Sequence, residues 1–272
     1  MINKKAKVVL VNWTPNPIET MCWCRIVMQK PIPDTVNEIR ENPEKWLGMG
    51  MDEYVDNHLM KDGMPTFLEY VNLTFKFENV SRALQQQLTR HRIGFSYSIQ
   101  SLRCVDLPNF ADKGEYYNPY CEEDANTVDY KTQNYLRFAG SMEDIQKNYR
   151  EALSNGMPTQ NARGLLPMNI FSTVTFSCSL RALIGMVNKR LCLKTQGEFR
   201  EVARMIVEEV KSKMDPRIGK WFGSPCDKNH YCMMKGENEE QLRLDKMTGK
   251  QNTDHVCPKF LKKFVKVKDN EN

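Results

Sequence analysis

Gln87-Leu88-Thr89-Arg90-His91-Arg92, followed by Ser101-Leu102-Arg103, places three arginines, a histidine, a glutamine and a serine within 17 residues. Guanidiniums that close repel one another unless anions sit between them. The planar fork of arginine matches the oxygens of a phosphate, and histidine adds a ring donor or acceptor near neutral pH. The chemistry such a set can do is to hold phosphorylated small molecules. Arg163, Arg181 and Arg190 add further cations downstream. Taken singly, each of these is an ordinary surface cation, and an isolated Arg-His-Arg triplet is an ordinary solvated helix end.

Several elements must position these residues. Ser81 can cap a helix over 81–91, with Ala83, Leu84 and Leu88 on one face, so that Arg90, His91 and Arg92 emerge at its C-terminal end. A mixed segment from Ile93 to Gln100 then leads to Ser101 and Arg103. Upstream, Lys7–Asn12 reads as a buried strand, Asn16-Pro17 as the start of a helix running to about Gln29, and Phe67–Glu78 as a second strand. Residues 31–62 are irregular, with short helical pieces such as Asp52–Lys61. Residues 104–126 are loop-like. Helices are expected over 127–140, from a Ser141 cap to a stop at Gly156, and over 158–163. A strand follows over 170–177, then a helix over 180–191 that spreads Arg181 and Arg190 about two and a half turns apart. Thr195 caps a long amphipathic helix through Lys213 with Phe199, Val202, Ala203, Ile206, Val207 and Val210 as its core stripe. Few strands, each among several helices, define an α+β class with a mixed or antiparallel sheet core and surrounding helices.

The chain has 272 residues, 40% hydrophobic and 27% charged, with a net charge of +5. That is ordinary for a globular protein, and the mild positive balance fits small anionic ligands without itself predicting nucleic-acid binding. Nine cysteines with no signal-peptide pattern at Met1–Lys5 imply reduced thiols and a cytoplasmic protein. No window is apolar enough for a membrane span.

The order of the blocks carries more than any block alone. Val8–Pro17, then Thr66…Glu69, then Gln87-x-x-Arg90-His91-Arg92…Ser101-x-Arg103, then Ala162-Arg163-x-Leu165-Leu166-Pro167, then Leu180-Arg181…Asn188-x-Arg190…Gln196-x-Glu198 resembles the flavin-dependent thymidylate synthases over roughly residues 7–215. The resemblance implies an enzyme that reductively methylates dUMP to dTMP, with FAD as cofactor and NADPH and 5,10-methylenetetrahydrofolate as co-substrates. It implies that Arg90, His91, Arg92 and Arg181 hold the flavin, and that Gln87, Arg90, Ser101, Arg103, Arg163 and Arg190 hold dUMP. Arg190 would be the catalytic group, favouring the ionised N3 form of the uracil. It further implies a homotetramer with shared sites, Arg163 reaching a neighbour's nucleotide, and no protein nucleophile. A domain over 1–215 would be followed by an extension over 216–272, part of the same domain with a polar tail.

The chain departs from that pattern at several places. The spacer from Arg92 to Ser101 has eight residues where seven is the commoner form. Met64, Ile99, Ser179 and Gly185 stand where the family has a histidine, an acid and two asparagines. Such divergence fits a viral source and a changed outcome such as dUMP hydroxymethylation. Cys226, His230, Cys232, His255 and Cys257 are of zinc-ligating types, but their spacing is not that of a standard finger. The family's Pro-Cys…Cys ending favours reduced structural cysteines. A reading from another class, a nucleic-acid-binding protein using the Arg-His-Arg helix and the Lys262, Lys263, Lys266 and Lys268 tail, accounts for the charges. It leaves the Ala-Arg-x-Leu-Leu-Pro and Asn-x-Arg blocks unexplained.

Overall fold

The computed structural model of the chain describes residues 4–27, 31–120, 130–226, 231–232 and 237–238. In chain order the regular elements are β1 (Lys7–Trp13), α1 (Pro17–Ile26), α2 (Val36–Glu41), α3 (Pro43–Leu47) and α4 (Met51–Tyr54), which runs on into a π-helical turn, Val55–Leu59. A 3-10 turn, Thr66–Glu69, precedes β2 (Asn72–Ser81), α5 (Arg82–Leu88) and β3 (Phe95–Ile99). Next come α6 (Tyr130–Ser154), α7 (Thr159–Ala162), a 3-10 turn at Arg163–Leu165, β4 (Phe171–Ser179), α8 (Leu180–Arg190), α9 (Gly197–Lys213) and a 3-10 turn at Pro216–Trp221. A two-residue pair, β5 (Tyr231–Cys232) and β6 (Glu237–Asn238), lies beyond.

The main sheet has the order β1-β2-β4-β3 and every pairing in it is antiparallel. The fold is therefore α+β. Alternation decides the faces. Leu73, Phe75 and Phe77 of β2 and Val174, Phe176 and Cys178 of β4 point into the core, where the rings of Phe75 and Phe176 stack at 5.5 Å. Helices α1, α8 and α9 close that face with Ile18 and Met21, Leu183 and Val187, and Ile206 and Val210. The opposite face is polar, and Thr74 and Ser177 bond there hydroxyl to hydroxyl at 2.8 Å. A second, smaller core forms where α6 packs on the 102–116 segment, around Leu102, Phe110, Tyr116, Met142, Tyr149 and Ile170.

One irregularity matters for the site. The β2–β4 register shifts between Phe77 and Val80, with Asn79 at φ 56. The extra residue of a bulge breaks strict alternation. The shift brings Val80 onto the core face of Leu73, Phe75 and Phe77, and Val80 and Ser81 at the end of the strand are both fully buried.

Several expectations are corrected. The helix expected over 81–91 is only Arg82–Leu88, because Tyr97 of β3 donates its hydroxyl to the carbonyls of Leu88 and His91 at 2.9 and 2.8 Å and draws those groups out of the helical ladder. Arg90, His91 and Arg92 thus sit on a turn. The mixed segment after Ile93 contains a strand, β3. β1 is an edge strand with Val11 55% exposed, not a buried one. Thr66–Glu69 is a 3-10 turn and β2 begins only at Asn72. The two helices expected around Ser141 are one, because the Ser141 hydroxyl donates back to the Arg137 carbonyl at 3.1 Å instead of capping. Gln196, not Thr195, precedes α9, and Asn16 lies in the left-handed region with no side-chain cap bond. The stop at Gly156 is present, at φ 80 just past α6. Among the described residues no helix is long and apolar enough to cross a membrane.

Candidate active site

Two strands run directly into two helices. β2 ends at Ser81, whose hydroxyl accepts the Leu84 N–H at 3.0 Å and caps α5. β4 ends at Ser179, whose hydroxyl accepts the Ala182 N–H at 3.3 Å and caps α8. The corners mirror each other across the antiparallel pair. Leu180 N–H donates to the Val71 carbonyl at 2.7 Å, and Arg82 N–H donates to the Ile170 carbonyl at 3.1 Å.

The ends of these helices meet. The Arg190 guanidinium, at the end of α8, approaches His91 Nε2 through Nε at 3.3 Å and Nη2 at 3.0 Å. A guanidinium can only donate, so Nε2 is the acceptor and the ring carries its proton on Nδ1. Burial, then the charges of Arg190 and Lys189, hold the His91 ring down to about 4, so it is neutral at neutral pH. Phe199, from the first turn of α9, lies with its ring 4.6 Å from the Arg190 guanidinium carbon, and the His91 ring meets it edge-on at 6.4 Å. Burial, then Arg90, lowers the Arg190 pKa from the usual guanidinium range. Arg90 and Arg92 are exposed and have no acidic partner among the described residues. A half-buried guanidinium beside a second, unneutralised one is an electrostatic cost that an anion relieves.

Gln87 donates its side-chain amide to the Gln196 side-chain carbonyl. Arg181, at the start of α8, pairs with Glu69 at 2.5 Å. Gly94 has φ +75, and a Cβ on it would lie 2.8 Å from the Ala182 Cβ, so only glycine allows the turn to pack on α8.

Ser101, Arg103 and Arg163 do not join this group. Arg103 donates to the Gln160 side chain at 3.4 Å, Arg163 Nε donates to the Gln160 carbonyl at 3.1 Å, and the Ser101 hydroxyl accepts the Arg103 N–H at 3.3 Å. Between the two groups runs β3. From Phe95 to Gln100 is about 17 Å at roughly 3.3 Å per residue. One chain therefore carries two separate cationic clusters, one at each end of β3.

Of the departing residues, Ser179 caps α8, Ile99 is 38% exposed at the end of β3, Met64 is 79% exposed, and Gly185 has open space where a side chain would stand. His230, His255 and Cys257 of the proposed zinc set lie outside the described residues, as does the lysine tail, and no metal-holding group occurs among the described ones. Cys178, facing Phe95 across the sheet, is pushed up to about 12 by burial and stays a thiol.

Sequence reasoning missed what α9 contributes. Phe199 was readable as core, not as the surface under Arg190. Glu198 was readable as part of a motif without a task. It is 4% exposed, and its two carboxylate oxygens accept the Ser81 N–H at 2.7 Å and the Ser81 hydroxyl at 2.5 Å. An acid in the first turn of a helix beside an apolar stripe is the one signal that could have marked it.

An antiparallel main sheet whose two strand-to-helix corners bring a histidine and arginines together defines an α+β protein with a cationic centre. The comparisons give the particular family. A family model described as thymidylate synthase complementing protein matches residues 9–216. A flavin-dependent thymidylate synthase of Pyrococcus abyssi is 30% identical over 232 residues, covering 83% of this chain and 88% of the relative. One from Clostridium tetani is 30% identical over 235 residues, covering 81% and 88%. The chain belongs to the thymidylate synthase complementing protein family, a family of enzymes.

Proposed function

We propose that the protein reductively methylates dUMP to dTMP, with FAD as cofactor and with NADPH and 5,10-methylenetetrahydrofolate as co-substrates. The observation that carries this is the His91–Arg190 contact beside Arg90, a partly desolvated cationic centre with a neutral imidazole in it. The family membership supports it.

The residues fit a flavin dinucleotide. Arg90 and Arg92 are exposed guanidiniums without an acid to neutralise them among the described residues, which suits a pyrophosphate. His91 can donate through Nδ1 while its Nε2 receives Arg190. Arg181 would reach the flavin on exchange of Glu69 for it. When bound, the flavin supplies hydride chemistry. The rest of the work belongs to the chain. Arg190 stabilises negative charge on the uracil, as a fixed cation in a partly dry site does without reorganising. Gln87 and Arg90 orient the ring, while Ser101 and Arg103 bind the nucleotide phosphate. The protonated Cys178 and the absence of a cysteine in the motif agree with a reaction that uses no protein thiolate.

The separation of the two cationic clusters supports a homotetramer with shared sites. The Ser101–Arg103 end and Arg163 of one subunit would complete the His91–Arg190 end of another. Residues 1–215 are read as the catalytic domain. The burial of Ile218 and Trp221 in its core supports counting at least the start of the 216–272 extension as part of it.

The test is mass spectrometry of the nucleotide formed from labelled dUMP with FAD, NADPH and the folate. A methylated product is expected. A hydroxymethylated product would assign the alternative that Ile99 motivates, and a protein that neither binds FAD nor changes dUMP would overturn the reading.

A further inference from the structure

We infer that Glu198 is a positioning residue: acting through Ser81, its carboxylate fixes where α5 begins and hence, through that short helix and its turn, where His91 meets Arg190. The inference rests on the proposed function for what the site binds, but not for the geometry.

Ser81 is fully buried, and its hydroxyl both donates and accepts. It donates to Glu198 at 2.5 Å and accepts from Leu84 N–H at 3.0 Å. Between this cap and His91 lie only the seven residues of α5 and a turn. Tyr97 pins both ends of that turn, so a displacement at Ser81 has little slack in which to dissipate before it reaches His91. The same first turn of α9 also touches the site directly. Gln196 receives the Gln87 amide, and the Phe199 ring underlies Arg190 and meets His91. Three neighbouring side chains of one turn therefore tie α5 to the end of α8.

A residue present for stability alone would not need to be an acid here. Burial pushes the Glu198 carboxyl up against the pull of its two hydrogen bonds from Ser81. A raised folded-state pKa means that the stabilising share is present below the ordinary carboxyl range and is lost as pH rises through the folded value. Where the group is ionised, burial makes it costly to hold. Replacing buried ionic groups with apolar ones is often neutral or stabilising. What the carboxylate supplies that an apolar side chain could not is two directed acceptors on one residue.

The experiment compares Glu198→Ala, Glu198→Gln and, as a matched control, Val210→Ala at the far end of the same helix, buried in the core. In 15N-histidine-labelled protein, the His91 ring resonances and their titration are followed by NMR. FAD and dUMP dissociation constants are measured by fluorescence quenching. In Glu198→Ala the His91 midpoint is expected to move up toward 6.5, its ordinary value. Both dissociation constants should rise by about 10–100-fold, the scale on which losing a residue that orients a ligating side chain weakens binding at metal sites. Glu198→Gln, which keeps an acceptor for the Ser81 N–H, should recover part of the loss. Val210→Ala should lower Tm and leave His91 and both affinities in place. Loss of Tm in the Glu198 variants with an unmoved His91 titration and unchanged affinities would make Glu198 a fold residue and overturn the inference. If Glu198→Ala does not fold, Glu198→Gln decides by the same readings. If the wild-type protein binds neither FAD nor dUMP, the functional reading fails. The His91 titration then decides by itself: a shift in Glu198→Gln supports the inference and none overturns it.

Discussion

The two strand-to-helix corners are built from the same parts and differ in one residue of register. β4 alternates from Ser172 onward, and Ser179 lies half-buried at the outer face and caps α8 by itself. β2 carries a bulge at Asn79, and Ser81 beyond it is fully buried and bonded to an acid. The plain corner ends in a long helix with cations at both ends, Arg181 and Arg190. The bulged corner ends in a helix of seven residues and a turn that presents Arg90, His91 and Arg92. A cap on the solvent face can be exchanged for another cap. A buried cap is tied to whatever it was buried against, and here that is the turn of α9 that lines the site.

The largest expected effect tests where the corners meet. Arg190→Ala removes the one group at the end of α8 that reaches His91 and should lower turnover by on the order of 10³-fold, as loss of a charge-stabilising donor does. This is measured as kcat with saturating dUMP, and near-normal turnover would separate the two corners functionally.

Next comes the pair of caps, compared by urea unfolding. Ser81→Ala should cost about 2–4 kcal/mol, an N-cap plus a buried carboxylate that loses its hydroxyl partner. Ser179→Ala should cost about 1 kcal/mol, the cap alone. Equal losses would mean that burial against Glu198 makes no difference. Ser179→Asn, another good capping side chain, should be close to neutral in Tm.

The smallest effect is in pH. The His91 pKa is about 4 in the folded chain against 6.5 ordinarily, so the folded state holds fewer protons than the unfolded one between those values. Its share of stability is present above 6.5 and is lost as pH falls through about 4. The fall in Tm between neutral pH and pH 4 should be shallower in His91→Gln, which keeps an acceptor for Arg190 without the titration. An unchanged slope would place the acid sensitivity elsewhere.

Much of the fold was legible because periodicity reports burial. The stripe of α9 from Phe199 to Val210, the alternation of Leu73, Phe75 and Phe77, and the Ser81 cap all stand as the sequence implies. The misplaced boundaries share a cause. The end of α5 is decided by Tyr97, nine residues past Leu88, and the continuity of α6 by a back-bond from Ser141. Local propensity contains neither contact. β3 was read as a connecting segment because Ser96 and Ser98 are exposed, and on the other face Ile99 is exposed too and only Phe95 and Tyr97 are partly buried.

The sequence by itself determined the family, the α+β class and the residue types of the site, because the order of its arginine-bearing blocks is long and specific. Only the tertiary structure decided which of those residues meet. His91 and Arg190 are 99 positions apart and touch, whereas Arg90 and Arg103 lie toward opposite ends of β3. The reason is physical. Charge and hydrogen-bonding capacity are properties of a residue and can be read in one dimension. Partnership depends on which elements pack together: Ser81 and Glu198 are 117 positions apart and bonded, and nothing in composition or periodicity records that pairing.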